Sequence, residues 1–103
     1  MRLLSPNAAL ILSAFLSSPS TPRYGYELMQ ETSIKSGSLY PVLGRFERNG
    51  WITGMTEEPV ANRPPRKVYR FDSGAQAEAQ QALDRFFEAK GVANADRPEW
   101  GPA

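Results

Sequence analysis

The stretch Ser36-Gly-Ser-Leu-Tyr-Pro-Val-Leu-Gly-Arg-Phe46 decides how this chain folds, because its apolar residues recur at helical spacing. At about 100° per residue, Leu39, Val42, Leu43 and Phe46 fall on one stripe that must be buried. The opposite side carries Gly37, Pro41, Gly44 and Arg48, flanked by Ser38, Tyr40 and Arg45. A solvated helix face usually fills such positions with Glu, Lys or Gln. Here the outermost positions are small or lack an N–H donor, while hydroxyls and guanidinium groups flank them. A helix of that shape can approach a duplex groove closely and still meet phosphates and base edges. The alternative is an ordinary surface helix with two awkward glycines.

Working outward, Pro41 constrains where this helix begins. Proline is best tolerated in a first turn, so the cap is expected at Ser38, or at Ser36 with a distorted start. Asn49-Gly50 is a left-handed stop signal. Upstream, Ser33-Ile34-Lys35 is a three-residue turn, preceded by a short helix from Tyr24 or Gly25 to Thr32 with Tyr26, Leu28 and Met29 available for packing. Ser17-Ser-Pro-Ser-Thr-Pro22 is a linker. Ser5 caps a first helix and Pro6 opens it. That helix has a wide apolar face of Ala8, Ala9, Ile11, Leu12, Phe15 and Leu16, wide enough to predict contact with its own core and with something else. Downstream, Trp51 to Thr56 and Lys67 to Phe71 alternate as strands do, joined by the proline-rich loop Glu57 to Arg66. Asp72 or Ser73 caps a last helix, Gly74 to about Lys90, whose stripe is Ala79, Leu83, Phe86, Phe87 and Lys90.

Helix, helix, turn, helix, hairpin, helix is the order of a winged helix-turn-helix domain with one added C-terminal helix, a mainly α fold with a small β-hairpin. The expected division is residues 1–72 for the winged DNA-binding unit, 73–91 for a dimerisation helix and 92–103 for a flexible tail with four Gly or Pro residues after Lys90. In that architecture the third helix enters the major groove, and the loop is the wing. Arg63-Pro-Pro-Arg-Lys67 suits a wing, because its prolines leave less entropy to lose when its cations meet phosphates.

Charge supports the same reading. The net charge is only +1, yet Lys35 to Arg70 holds seven basic residues against three acids, leaving the rest of the chain at −3. A localised basic face on a nearly neutral chain is the footprint of a nucleic-acid binder, with a solvated patch as the alternative. The chain has no Cys and no His. Disulfides, zinc fingers and Ser-His or Cys-His catalysis are therefore excluded, and no phosphate-binding glycine loop is present. No enzyme activity, cofactor or metal is expected. No apolar run reaches the roughly 18 to 20 residues of a membrane helix, and Ala8 to Leu16 is too amphipathic for a leader. A cytoplasmic protein is the expectation.

Four segments together resemble the PadR family of bacterial transcriptional regulators: Tyr24-Gly-Tyr-Glu-Leu28, Ser36 to Leu43, Arg45-Phe-Glu-Arg-Asn-Gly-Trp51, and Asn62-Arg-Pro-Pro-Arg-Lys-Val-Tyr-Arg70. They stand in the family's order and spacing across about residues 8 to 90. The resemblance implies a homodimeric repressor that reads a palindromic operator in double-stranded DNA, of the smaller subfamily with one C-terminal helix. It also allows a small aromatic effector between subunits, which Trp100 could line. Three departures stand out. Tyr24 replaces the His that often opens the second-helix motif, Asn62 replaces the wing glycine but can still turn left-handed, and Gly44 removes a side chain from the recognition helix.

By the same resemblance, Ser36, Ser38 and Tyr40 contact DNA near the helix start, which agrees with hydroxyls and free amides being good phosphate partners. Arg45 and Arg48 are candidates for guanines or phosphates, and Arg63, Arg66 and Lys67 for the backbone or minor groove. Lys35, Tyr24 and Tyr26 are weaker candidates. Leu83, Phe86 and Phe87 with Leu12 and Phe15 are the candidate dimer interface, since an isolated terminal helix has nothing else to cover two phenylalanines. The competing reading is a winged-helix protein-interaction module that no longer binds DNA, motivated by Gly44 and the near-neutral total charge.

Overall fold

Ser5 and Pro6 start the first helix as their chemistry dictates. The Ser5 Oγ accepts from the Ala8 N–H at 3.1 Å, and Pro6, with no N–H to leave unpaired, opens α1 (Pro6–Ser17). The computed structural model describes residues 3–58, 60–62 and 64–92. After α1 come β1 (Arg23–Tyr24), α2 (Gly25–Thr32), α3 (Ser36–Arg48), β2 (Ile52–Thr56), β3 (Lys67–Phe71), a 3₁₀ turn (Ser73–Ala75) and α4 (Gln76–Ala89). The strands form an antiparallel sheet of order β1-β3-β2, with Ile52 opposite Phe71 and Thr56 opposite Lys67. This is a winged helix-turn-helix with one further helix.

The end of α3 shows sequence becoming structure. Gly50 takes φ 77°, a conformation that costs a side-chain-bearing residue and not glycine. The Gly50 N–H then reaches the Glu47 carbonyl at 3.0 Å and the Trp51 N–H reaches the Phe46 carbonyl at 2.9 Å, a Schellman closure. Its usual apolar contact is present as Phe46 against Trp51, ring centres 5.3 Å apart. Trp51 also donates from its indole to Glu78 at 2.7 Å, tying the hairpin to α4.

The start of α3 corrects the expectation. The helix begins at Ser36 with Lys35 in the capping position, and no side chain caps it. Pro41 lies inside, so the Gly37 carbonyl loses its helical N–H partner. Gly37 is exposed, and water can serve that carbonyl. The first turn closes through the Lys35 carbonyl, which accepts from both Ser38 and Leu39.

A second correction concerns the wide face of α1. Ala8, Ala9, Ile11, Leu12, Ala14 and Phe15 are all buried because α2, α3 and α4 of the same chain surround α1. Leu12 and Phe15 sit at 0% and 1% exposure, each contributing about 1.5–3 kcal/mol by burial. Ala79, Leu83 and Phe87 of α4 join this same core, so α4 is not isolated. Of the five residues expected at a dimer interface, Leu12, Phe15, Leu83 and Phe87 are consumed within the chain. Phe86 remains half-buried, edge-on to Phe87 at 5.5 Å and with Lys90 over its ring.

β1 was not expected at all. Its two residues pair Arg23 with Tyr69 and Tyr24 with Val68, turning the hairpin into a three-stranded sheet. The buried Arg23 guanidinium donates to the Ala14 carbonyl at 2.8 Å and pairs with Glu31, joining α1, β1 and α2. Burial pulls its pKa below the ordinary value, partly offset by Glu27.

Candidate nucleic-acid interface

The inner stripe of α3 is buried as its spacing requires: Leu39, Leu43 and Phe46 are fully enclosed and Val42 partly so. Lys35, Ser36, Gly37, Ser38, Tyr40, Pro41 and Arg48 are consequently exposed, with Gly44 and Arg45 half-buried. The Ser36 and Gly37 amides come before the first helical donors, Ser38 and Leu39, and the positive end of the helix dipole favours an anion there. At the other end, Arg48 folds back along the helix. A Cβ added to Gly44 would stand 3.5 Å from its Nη1, an ordinary contact, so the guanidinium lies over the outer face close to Gly44.

Tyr40 is placed by a glycine one element away. A Cβ on Gly25 would lie 2.4 Å from the Tyr40 hydroxyl and 3.1 Å from its ring, so only glycine lets the ring rest on the start of α2. Tyr40 stays 42% exposed. It lines an open cleft with Gly25, Tyr26, Pro65, Arg66 and Lys67, which brings α2, α3 and the wing root together. Asn62, at the wing tip, takes φ 67°, the left-handed turn expected where the family has glycine.

The wing cations differ in their surroundings. Lys67 lies 3.5 Å from Glu47 of α3 and 5.3 Å from the Tyr69 ring centre, in an exposed pair worth at most about 1 kcal/mol. Arg66 turns inward. Its guanidinium is 4.7 Å from the Tyr24 ring centre and 5.5 Å from that of Tyr26, and it donates to the Tyr26 hydroxyl at 3.3 Å. Its Nε stands 3.4 Å from Glu57 Oε1. Arg70 lines a separate shallow cleft with Pro19, Pro22 and Gln76. Arg63 and Trp100 lie outside the described residues.

Two phenols are perturbed. The Tyr24 hydroxyl donates to Glu57 Oε2 at 2.5 Å, and that bond to a carboxylate raises its pKa. Burial, with Glu47 and Tyr40 nearby, pushes Tyr69 up to about 12. The sequence reading missed the carboxylates Glu47 and Glu57 as partners of the basic wing. The hairpin register held the signal: with Thr56 opposite Lys67, the next pair outward is Glu57 with Arg66, an opposite-charge cross-strand pair.

The fold and this surface define the winged-helix class of regulator. The transcriptional regulator PadR-like family matches residues 14–81, and the chain belongs to that family. Its members are transcriptional regulators and not enzymes. Comparison with curated proteins returns no match. Among solved structures, a PadR family regulator from Clostridium difficile is 21% identical, with TM-score 0.65 over 88% of this chain and 97% of its own. A Streptococcus mutans protein is 26% identical, with TM-score 0.61 over 86% of this chain and 85% of its own. A PadR-like transcription factor from Bacteroides fragilis is 18% identical, with TM-score 0.61 over 82% and 86%. No helix among the described residues is long and apolar enough to cross a membrane.

Proposed function

We propose that this chain is a sequence-specific DNA-binding regulator whose α3 enters the major groove. The observation that carries the reading is the outer face of α3, where small residues leave an uncluttered ridge bounded by Ser36, Ser38, Tyr40, Arg45 and Arg48. Lys35 and the amides at the helix start meet phosphates, and Arg45 and Arg48 meet phosphates or guanine edges. From the wing, Lys67 and Arg63 reach the backbone or minor groove. Lys67 gives up a weak surface pair with Glu47 and its place near the Tyr69 ring to do so.

The chain acts as a homodimer on a palindrome, with half-sites one helical turn apart, and represses transcription in the manner of its family. Phe86 and the half-buried Ala82 one turn before it on α4 supply the surface through which two copies meet. A small aromatic effector between subunits fits such an assembly. Enrichment from a random duplex pool tests the reading. It should return a palindrome with half-site centres about 10 base pairs apart. A pool with no enriched sequence would favour the protein-interaction module.

A further inference from the structure

We propose that Tyr24, Tyr26, Glu57 and Arg66 form a clasp that sets the wing's angle against α3, making Arg66 a positioning residue and not a ligand of the DNA backbone. This rests on the DNA-binding reading above. The four residues come from the junction of β1 with α2 and from both limbs of the hairpin loop. Tyr24 and Tyr26 stack with ring centres 5.5 Å apart, and the Arg66 guanidinium lies against both. Glu57 meets Arg66 with one oxygen and the Tyr24 hydroxyl with the other. Its N–H also donates to the Arg66 carbonyl at 2.8 Å, so backbone and side chains lock the same pair.

The position of this cluster gives it leverage. Glu57 and Arg66 follow the last strand pair, Thr56 with Lys67, where the loop leaves the sheet. β1 flanks β3 on its other side and ends at Tyr24, opposite Val68. The tyrosines therefore hold the wing at its root, beside Tyr40 of α3 across the shared cleft. A guanidinium suits such a post because its flat faces stack and its edge donors bond at once. Moving Arg66 out to a phosphate would break its side-chain contacts with Tyr24, Tyr26 and Glu57 together. Lys67 has a weaker tie, the Glu47 carboxylate at 3.5 Å and the ring centre of its own strand's Tyr69 at 5.3 Å.

Charge-matched variants separate positioning from direct contact. Binding is read by fluorescence anisotropy on one fixed duplex, the region upstream of the chain's own coding sequence, across a salt series. Glu57→Gln removes a negative charge beside the DNA, which on charge alone should tighten binding. The clasp predicts the opposite, a weakening of about threefold to tenfold, as when a hydrogen bond to a charged carboxylate becomes one to a neutral amide. Glu58→Gln, with the same charge change outside the cluster, should bind as the parent chain or tighter. Arg66→Gln should weaken binding with its salt slope unchanged, whereas Lys67→Gln should lower the slope by about 0.9. Glu57→Gln binding as tightly as Glu58→Gln, or Arg66→Gln losing as much slope as Lys67→Gln, would overturn the proposal. Nuclear Overhauser effects from Arg66 to both tyrosine rings in the DNA-free chain check the clasp without DNA, and their absence would overturn it. If the parent chain binds no duplex at low salt, the DNA-binding reading fails, and the DNA-free spectra alone decide the clasp.

Discussion

Tyr69 illustrates how far one residue's surroundings reach. It is 2% exposed in the middle strand, and its phenol is pushed up to about 12 by burial with Glu47 and Tyr40 nearby. The unfolded chain loses the same proton near 10, so it binds fewer protons than the folded chain above that pH. Stability therefore holds up to pH 10 and falls between 10 and about 12, by up to about 3 kcal/mol from this group. Tyr69→Phe should flatten that alkaline loss in thermal unfolding scans, and an unchanged alkaline slope would show that other groups cause it. The charged residues of the chain divide in the same physical terms. Arg23 looks like one more cation in the sequence, yet its guanidinium is buried against Ala14 and Glu31. Nothing local in Pro22-Arg-Tyr24 marks it for burial, because its partners lie on two other helices.

At the scale of elements, α3 carries both what the sequence revealed and what it concealed. Its buried stripe and its Asn49-Gly50 stop were legible because side-chain spacing and a left-handed turn are local properties. Its start was not. The local rule against an internal proline was overridden by Leu39 and the rest of the buried stripe, which fix the helix whatever Pro41 costs. Pro41→Ala should restore the N–H to the Gly37 carbonyl and raise stability by about 1–2 kcal/mol, after the loss of proline's restraint on the unfolded chain. Denaturant unfolding checks this, and an unchanged midpoint would mean that the helix has already absorbed the proline. β1 escaped notice because two residues show no alternation, and it exists only through its pairing with β3. Gly25 is a related case. Gly25→Ala suits a helix start, so α2 should fold, but the Tyr40 ring must leave its seat. Weaker DNA binding with unchanged thermal stability is the expected result, and full affinity would remove Tyr40 from the proposed interface.

For the whole molecule, α1 is the central post, enclosed by α2, α3 and α4, and α4 shares its core. The apolar arithmetic that pointed to a dimer through Leu12, Phe15, Leu83 and Phe87 overlooked that four helices in one chain can satisfy one another. Leu12→Ala should accordingly cost about 2–5 kcal/mol of folding stability, whatever the oligomeric state. Phe86→Asp tests the proposed dimer surface instead, and in sedimentation it should yield a folded monomer. A folded dimer would place the contact elsewhere. The fold class and the outer face of α3 could thus be read from spacing, whereas the inward turn of Arg66 and the burial of α1 needed tertiary contacts.

The central claim is that α3 and the wing form a sequence-specific DNA surface. Fluorescence anisotropy of the chain on its own upstream region and on a mixed-sequence duplex, over a salt series, tests it most directly. Tight upstream binding that exceeds mixed-sequence binding and falls steeply with salt is the predicted result. No binding to either duplex at low salt would contradict it.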